Sequence, residues 1–434
     1  MNTVSLEVSR PPQALEQELY AKVSWRLLPL LAVAYFIAYV DRVNVGFAKL
    51  SMLGDLRMSD ATYGAGAGLF FVGYVLFETP SNLILAKVGA RAWIARIMIS
   101  WGLLSAGTMF ITTPLQFNVL RFLVGVAEAG FLPGVLYYLS LWFPSYRRGR
   151  VFSLFILGLP VAGIIGSPLS GLILHGLNGA HGVAGWRWLF LLEGLPAVII
   201  GLLVLWRLPS QPDHASWLTA AEKLQLDTAL ANDKPAGRGE GFMTGVRDLR
   251  VWVLGLIDFA ILLTTYALAF WLPTFIRSTG VHDPVLIGWY TAIPNVAALI
   301  CMLALSYSSD LHRERRWHLM VPFMVGIGAI LVFPHAAGNL IALLAVASLL
   351  SGAVTGAVPV FFSLPATFLT GPAAAAGFAV ACSVANIAGY VSNLVIGWSL
   401  DATGSAALAM LPIAAFLLIA ILIVYRLPRS LVNR

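Results

Sequence analysis

Residues 121–134 read Arg121-Phe-Leu-Val-Gly-Val-Ala-Glu128-Ala-Gly-Phe-Leu-Pro-Gly134. An arginine and a glutamate here lie inside a mostly apolar run that extends from about residue 116 to 139. About 20 mostly apolar residues are enough to cross a bilayer as a helix. Residues seven positions apart lie on one face of a helix, about two turns from each other. The stretch therefore predicts a membrane-spanning helix with two charges on one face.

The rest of the chain has the same apolar character. Of its 434 residues, 59% are hydrophobic and only 11% are charged, whereas a soluble domain has about 25% charged residues. The mean hydropathy is +0.84. This composition excludes a soluble enzyme and a disordered chain. The net charge of +7 is typical of basic cytoplasmic loops, and we expect no nucleic-acid partner.

The hydropathy pattern predicts an all-α membrane protein with twelve transmembrane helices in two six-helix halves. The predicted spans are 25–47, 63–86, 92–112, 116–139, 151–174, 187–208, 251–275, 286–308, 317–334, 339–362, 374–399 and 406–426. The expected domains are a cytoplasmic segment (1–24), an N-terminal bundle (25–208), a cytoplasmic linker (209–250), a C-terminal bundle (251–426) and a tail (427–434).

The basic residues predict the orientation of the chain. With both termini in the cytoplasm, 21 of the 27 Lys and Arg residues fall on the cytoplasmic side and four on the outer side. The other two, Arg42 and Arg121, fall inside the membrane. Basic residues are enriched in cytoplasmic loops, so we expect a multi-pass protein of the bacterial inner membrane with both termini cytoplasmic.

Two loops at equivalent positions of the halves resemble each other. Basic residues follow the second helix of each half, with a glycine in the first loop and an acid in the second; the residues are Lys87, Gly89, Arg91, Asp310 and Arg313. We interpret them as gating or structural loop residues. In the linker, Thr219-Ala-Ala-Glu222 has the spacing of a capping box and predicts the start of a short helix. Gly237–Gly241 predicts flexible linker.

Four charges lie deep in the first half: Asp41, Arg42, Arg121 and Glu128. An ionisable group at mid-membrane costs at least ~2.5–3.5 kcal/mol, so each needs a reason. Asp41 and Arg42 in helix 1 are expected at a membrane depth similar to that of Arg121 and Glu128 in helix 4. One interpretation is a structural ion-pair network between helices 1 and 4. The other is an anion site of two arginines, with two carboxylates that titrate and so couple protons to an anionic substrate.

Three further acids lie in predicted spans. Glu78 is beside Pro80, where a structural or gating contact is expected, and Glu193 is near the outer end of helix 6, where a structural role is expected. Asp258 is the deep acid of the second half. It is interpreted either as a further proton site or as a hydrogen-bonding partner of a neighbouring helix.

The second half contributes neutral polar groups. Asn386, Tyr390 and Asn393 form one stripe on helix 11, which predicts either helix–helix hydrogen bonds or substrate contacts. Asn386 is the first choice as a substrate ligand. Candidates of the same kind are Tyr266, and Tyr39 and Tyr74 in the first half. Glycines and prolines in helices 4 and 5 predict bends.

The sequence around helices 4 and 5 closely resembles the anion:cation symporter family of the major facilitator superfamily. The resemblance rests on residues 121–134, on Tyr138-Leu-Ser-Leu-Trp142-Phe-Pro144 and on Arg147–Arg150. Supporting matches include Asp41-Arg42-Val-Asn44, Glu78-Thr-Pro80 and Gly185-Trp-Arg-Trp188. The two-half architecture is that of the superfamily.

The resemblance implies proton-driven uptake of organic anions such as sugar acids, tartrate or aromatic acids. It implies that Asp41 and Glu128 carry protons and that Arg42, Arg121 and Asn386 bind substrate. Asp258 departs from the family, whose members are usually uncharged at this position, and leaves the number of protons open. The expected partners are a small organic anion and the lipid bilayer, and the expected state is a monomer.

Two other functions have to be weighed. A proton-coupled exporter of drugs or metabolites would share the fold, but two arginines in its cavity argue against it. A membrane sensor or scaffold would need a larger soluble domain than the linker offers. The sequence shows no catalytic constellation, so we expect no enzyme, and we expect no cofactor or metal, with the proton as the coupling ion.

Overall fold

A computed structural model describes residues 13–232, 248–336, 338–364, 371–405 and 408–428. The predicted flexible linker at Gly237–Gly241, the first twelve residues and the end of the predicted tail lie outside the described residues. All regular elements within the described ranges are helices.

Within these ranges, twelve helices are long and apolar enough to cross a membrane, which confirms the predicted fold class. Their bounds are α1 Gln13–Leu56, α2 Asp60–Val88, α3 Ala90–Phe110, α4 Pro114–Ser140, α5 Gly158–Gly176, α6 Gly185–Arg207, α7 Leu249–Ser278, α8 Pro284–His312, α9 Arg316–Ala336, α10 Leu340–Phe362, α11 Gly371–Thr403 and α12 Leu408–Arg426. Two further α-helices of the described ranges lie between spans: a connecting helix, Ser145–Ile156, and a linker helix, Ala220–Asn232.

The two halves pack against each other along two helix pairs, α2 with α11 and α5 with α8, and α1 also contacts α7. Within the first half, α3 packs on α6 and α2 on α4. We call the face where α1 begins and α12 ends the terminal face, and the opposite one the distal face. An even number of spans places both ends of the chain on one face.

Helices α4 and α5 differ from the predicted continuous spans. Helix α4 is interrupted after Glu128, where Gly130 takes the left-handed conformation (φ 84°). Arg96 of α3 donates a hydrogen bond to the carbonyl of Ala127 beside this break (3.4 Å). Helix α5 begins at Gly158 rather than at 151. Pro160 lacks the N–H that would continue the connecting helix, so the chain bends there.

Glycines set the close contacts between helices. A Cβ on Gly125 of α4 would lie 2.0 Å from the carbonyl oxygen of Phe70 in α2, and one on Gly171 of α5 would lie 2.3 Å from that of Pro284 in α8. No side chain fits at such distances. Small residues let membrane helices approach each other this closely, and such close contacts provide much of the van der Waals packing between them.

Polar contacts join the distal ends of the two halves. The backbone N–H groups of Asp60 and Ala61 both donate to the carboxylate of Asp401 (3.1 Å each). Lys49 donates to Thr274 (3.1 Å) and lies over the ring of Trp271. These contacts hold the distal face closed between α1, α2, α7 and α11.

The linker helix is tied to the start of α1 at the terminal face. Glu222 accepts a hydrogen bond from the backbone N–H of Thr219 (2.7 Å), and the hydroxyl of Thr219 accepts one from the N–H of Glu222 (3.3 Å). The predicted capping box is therefore confirmed. Glu222 also binds Lys22 of α1 (2.8 Å). The hydrogen bonds from Lys22 and Thr219 hold the pKa of Glu222 below its ordinary value of 4.5.

Acid should release the linker helix from α1. Because the pKa of Glu222 is lowered in the folded protein, the stabilisation that its ionised carboxylate gives to the linker helix is complete above pH 4.5. This stabilisation is lost as the pH falls through the lowered pKa. Amide hydrogen exchange in Ala220–Asn232, corrected for its intrinsic pH dependence, should accelerate in that range. In Glu222→Gln the exchange should be faster at neutral pH and insensitive to acid. Equal acid sensitivity of both proteins would show that another group fixes the linker helix.

Candidate functional site

Arg42 links the two halves near the middle of the bundle. Its guanidinium forms a short ion pair with Glu128 of α4, whose side chain is fully buried. It also donates to the hydroxyl of Tyr266 on α7 (3.3 Å). Tyr266 in turn donates to the amide oxygen of Asn386 on α11 (3.5 Å). One chain of polar contacts therefore runs from α4 through α1 to α7 and α11.

Arg121 lies beside this chain without a carboxylate of its own. Its side chain is 1% exposed, and its Nε and Nη2 atoms are buried with no hydrogen-bond partner. Within the described part of the protein, Arg121 has no ion pair within 4.0 Å. A buried guanidinium presents rigid, planar donors that fit a carboxylate. Arg121 is therefore a buried cation with donors left over for an anionic ligand.

Aromatic rings hold both arginines in place. The guanidinium carbons of Arg42 and Arg121 lie 5.1 and 5.0 Å from the centre of the same ring, Phe70 of α2. The Arg42 carbon is also 5.3 Å from the ring of Tyr74. Such cation–π contacts stabilise a cation away from water. Phe70 is not distinguished by any sequence pattern, although it lies one helical turn before Tyr74. We call Arg42, Arg121, Glu128, Tyr266 and Asn386, with Phe70 and Tyr74, the arginine site.

Asp41 forms no direct contact within the arginine site among the described residues, although its sequence position predicts a depth similar to that of Arg42, Arg121 and Glu128. Its carboxylate accepts hydrogen bonds from Ser105 of α3 and from Asn44 (3.4 Å). Adjacent residues on a helix point about 100° apart, so Arg42 faces the centre of the bundle while Asp41 faces α3. The expected cluster is therefore divided into an Arg42–Glu128 pair, a free Arg121 and a separate Asp41.

Asn393 is occupied by contacts within the second half. Its amide oxygen accepts a hydrogen bond from the indole of Trp271 (3.0 Å), and its amide nitrogen donates to the carbonyl of Gly389 (2.8 Å). These are helix–helix contacts, one of the two interpretations of the stripe. The structure brings Asn386, and not Asn393, to the arginine site.

Asn393→Ala should therefore weaken folding more than ligand binding. The substitution leaves the buried indole N–H of Trp271 without an acceptor, which costs about 1–3 kcal/mol. We expect a lower thermal unfolding temperature and an unchanged dissociation constant for a ligand of the arginine site. A variant with native stability and strongly reduced affinity would instead make Asn393 a ligand-binding residue.

The other candidates lie around the arginine site. Asp258 of α7 is 3% exposed and has no ion pair within 4.0 Å in the described ranges; it is close enough to Tyr266 for an electrostatic interaction. Tyr39 is buried and lines a cavity of about 30 Å³ with Thr265 and Asn295. The structure thus places Tyr74, Tyr266 and Asn386 at the arginines, and Tyr39 and Asp258 nearby.

Glu78 connects the halves on the terminal side of the arginine site. It is buried and accepts a hydrogen bond from Ser383 of α11 (2.8 Å). The structural or gating role of Glu78 stays a prediction. A movement of α11 that breaks the contact would loosen the halves on the terminal side.

The two loops of the internal repeat lie at the terminal face. Gly89 takes φ 97° and ends α2, while Arg313 takes the left-handed conformation (φ 50°) and ends α8. Arg91 donates to the carbonyl of Leu208 after α6 (3.4 Å). Lys87 and Asp310 are exposed. The loops end helices at equivalent positions, as the repeat predicts.

A hydrogen-bonded chain near the α8–α9 loop has the order of groups found in serine hydrolases. His318 contacts the hydroxyl of Ser308 (2.9 Å) and the carboxylate of Glu314 (3.0 Å). Glu314 also accepts from the backbone N–H of Trp317 (3.0 Å). Because this carboxylate caps the first turn of α9, we interpret the chain as a helix-capping network.

Comparison with known proteins agrees with this architecture. The family model described as "Major Facilitator Superfamily" matches residues 31–389. The chain is 56% identical to a protein named metabolite transport protein NicT from Pseudomonas putida, over 96% of both chains. It is 42% identical to a protein named as a tartrate transporter from Agrobacterium vitis, over 96% of this chain and 92% of the relative.

A further relative and a solved structure are also similar to this chain. The chain is 39% identical to a "Quinolone resistance transporter" from Acinetobacter baumannii, over 94% of this chain and 95% of the relative. Among solved structures, a bacterial homologue of the human lysosomal transporter Spinster, in an inward-facing and unoccupied conformation, superposes with a TM-score of 0.76. That structure is 17% identical and covers 94% of this chain and 97% of its own, so it supports the fold alone.

Proposed function

The chain belongs to the major facilitator superfamily of membrane transporters, and from this premise we propose that it imports an organic carboxylate together with protons by alternating access. One observation carries the proposal. Arg121 is a buried cation whose Nε and Nη2 donors have no hydrogen-bond partner among the described residues, and it lies next to Arg42 where the two halves meet. A deep, unpaired arginine in a membrane bundle is costly and marks a substrate pathway.

We assign the substrate contacts to both halves. The carboxylate of the substrate binds Arg121 and then competes with Glu128 for Arg42. Tyr266 and Asn386 bind the remainder from the second half, with Tyr74 and Tyr39 as aromatic walls. Contacts from both halves would let substrate binding favour the closing of one half on the other. Asn393 supports this wall through Trp271.

We assign proton coupling to the buried acids. A proton on Glu128 would release Arg42 for the substrate, because the neutral carboxyl no longer holds the guanidinium. Asp41 would act at a distance, through its electrostatic interaction with Arg121. Asp258, close to Tyr266, is the third candidate. The only coupling ion that the proposal needs is the proton.

The side chains that line the arginine site favour an aromatic carboxylate among the substrate classes that the family resemblance implies. The rings of Phe70, Phe71, Tyr74, Tyr266 and Phe270 form one contacting set around the arginines. A contact between two aromatic rings contributes about 0.5–1.5 kcal/mol beyond the free energy gained by burying their surface. A sugar acid would need more hydroxyl partners than these rings supply.

Membrane energetics also favour symport. Moving one negative charge into a cell with an inside-negative potential costs about 2.3 kcal/mol per 100 mV. One proton per monoanion cancels this cost, and a second proton adds a driving force from both the voltage and the pH gradient. Coupling to protons therefore turns an unfavourable entry into accumulation.

Export of an amphiphilic compound is the second candidate, because one relative is named as a quinolone resistance transporter. An exporter would share the aromatic lining and an acid. The direction of transport separates the two functions: an inward proton gradient drives accumulation by a symporter and extrusion by an exporter.

We further propose that the terminal face is cytoplasmic, as the distribution of basic residues favours. The protein would then be a monomer of the bacterial inner membrane, with domain boundaries as expected from the sequence. The loop residues Lys87, Gly89, Arg91, Asp310 and Arg313 would gate the cytoplasmic side. The structure then corresponds to a state that is closed on the outer, distal side.

A ligand screen tests the function and identifies the substrate. Purified protein is mixed with aromatic acids, tartrate and other dicarboxylates, sugar acids and quinolones, and thermal unfolding is followed. A ligand at 100 times its dissociation constant stabilises the native state by about 2.7 kcal/mol. We expect stabilisation by an aromatic carboxylate and none by its uncharged amide. Stabilisation by quinolones alone would favour the exporter.

A further inference from the structure

A second cluster of buried polar groups lies outside the arginine site, among α1, α3, α5 and α6. Ser105 and Asn44 donate to Asp41, and Ser170 of α5 donates to Glu193 of α6 (2.7 Å). The carboxyl of Glu193 is close enough to Asn44 and Asp41 to interact with both. Asn44 thus lies between two buried carboxyl groups.

Each of these three side chains has a buried oxygen with no hydrogen-bond partner in the part of the chain that the structure describes. The atoms are Oδ2 of Asp41, Oδ1 of Asn44 and Oε2 of Glu193. The residues are 1%, 0% and 4% exposed. Neither carboxyl has a Lys, Arg or His nitrogen within 4.0 Å in the ranges that the structure describes. Three unpartnered acceptors in one cluster indicate that a donor is missing.

The charges around the cluster indicate what that donor is. Arg121 of α4 is the cation that faces Asp41, and Glu128 faces it from farther along the same helix. The groups of α3 and α5 that face the carboxyls are the neutral hydroxyls of Ser105 and Ser170. Two ionised carboxylates that face each other in a low dielectric repel, so one of them takes a proton. With one proton, Asp41, Glu193 and Arg121 together are neutral.

We propose that Asp41 and Glu193 form a proton-binding pair, separate from the Arg42–Glu128 ion pair, and that Glu193 is a further proton-coupling residue. The bound proton lies on one of the unpartnered carboxyl oxygens, which then donates a hydrogen bond to a second of them. Glu193 lies eight residues from Gly185, where α6 begins, or about 12 Å from the distal end. The pair therefore extends from the arginine site towards the distal face, from which protons enter in the proposed symport.

Arg121 connects the pair to the substrate. When a carboxylate binds Arg121, the positive charge that favours ionised Asp41 is neutralised. The pair then binds a proton more tightly. By reciprocity, a proton on the pair raises the affinity of Arg121 for the anion. This link rests on the proposed function, whereas proton binding by the pair does not.

Infrared difference spectroscopy tests proton binding without any substrate. Full-length protein in lipid is titrated from alkaline to acid pH, and the carbonyl stretch of buried protonated carboxyl groups is recorded. We expect Glu193→Gln to remove one component and Asp41→Asn to remove or shift another, since the two groups are coupled. Ser170→Ala, which keeps both carboxyls, should shift the component without removing it. A Glu193→Gln spectrum that equals that of the wild type at every pH overturns the pair.

Flux measurements test the coupling role. In proteoliposomes, Glu193→Gln should transport fewer protons per substrate than the wild type while it still exchanges labelled for unlabelled substrate. Glu193→Asp, which retains a carboxyl, should restore part of the lost proton flux. An unchanged ratio in Glu193→Gln overturns the coupling role. A wild type that moves no protons contradicts the proposed function and leaves the infrared result on the pair standing.

Discussion

Arg121→Gln is expected to bind the transported carboxylate about a hundred-fold more weakly than the wild type. Hydrogen bonds to a charged group contribute about 1.5–3 kcal/mol, and 1.4 kcal/mol corresponds to a factor of ten in affinity. Glutamine retains polarity and approximate size but supplies no charge and no two-pronged donor. Isothermal titration with the ligand found in the screen measures the effect.

The same substitution should not lower the stability of the unliganded protein. Arg121 is a buried cation without an ion pair among the described residues, and removing such a charge relieves a desolvation cost. Loss of binding with retained or raised unfolding temperature is therefore the signature of a substrate ligand. If Arg121→Gln unfolds at a lower temperature and binds normally, Arg121 has a structural role.

Arg187→Gln is the matched control for Arg121. Arg187 lies near the distal end of α6, where it donates to the carbonyl of Met109 and covers Trp186. It has no contact with the arginine site. Its loss should change stability slightly and leave the dissociation constant unchanged.

Glu128→Gln is expected to lower accumulation driven by a proton gradient strongly while exchange of substrate across the membrane continues. The glutamine imitates the protonated glutamate, so Arg42 stays available to the substrate and no proton needs to bind or leave at this position. Uptake against a concentration gradient should fall well below that of the wild type, and what remains is driven by protons on the other buried acids. Counterflow of labelled substrate should remain within a few-fold of that of the wild type.

Glu78→Gln provides the control for this second prediction. Glu78 is also a buried acid of the first half, but it contacts Ser383, and a glutamine oxygen accepts the same hydroxyl hydrogen bond. We expect accumulation to persist in this variant. If Glu128→Gln accumulates substrate as well as Glu78→Gln does, proton coupling does not pass through Glu128.

Much of the architecture follows from hydropathy because a bilayer leaves a chain few choices. The twelve spans and the capping box at Thr219 could be predicted, since each depends on residues that are close in sequence. The break in α4 was visible only as a run of glycine and proline. Hydropathy predicts too early a start for α5, because the connecting helix is apolar towards its end and hydropathy alone does not separate it from the span.

The site was only partly predictable. Charges deep in the membrane stand out in a sequence, so Arg42, Arg121 and Glu128 could be found. Which charge faces which depends on how the helices are rotated, and this separated Asp41 from Arg42. Phe70 and Ser170 could not be predicted, because an aromatic residue or a serine in a membrane span has no distinctive sequence pattern. Their roles emerge only when the partners on other helices are known.

The central claim is that a proton gradient drives an organic carboxylate inwards through the arginine site. Purified protein in liposomes, with the voltage clamped to zero by a potassium ionophore, is given the labelled carboxylate and an inward proton gradient. The account predicts accumulation above the outside concentration, together with acidification of the lumen, and the loss of both in Arg121→Gln. Uptake that ignores the gradient, or extrusion driven by it, would contradict the account.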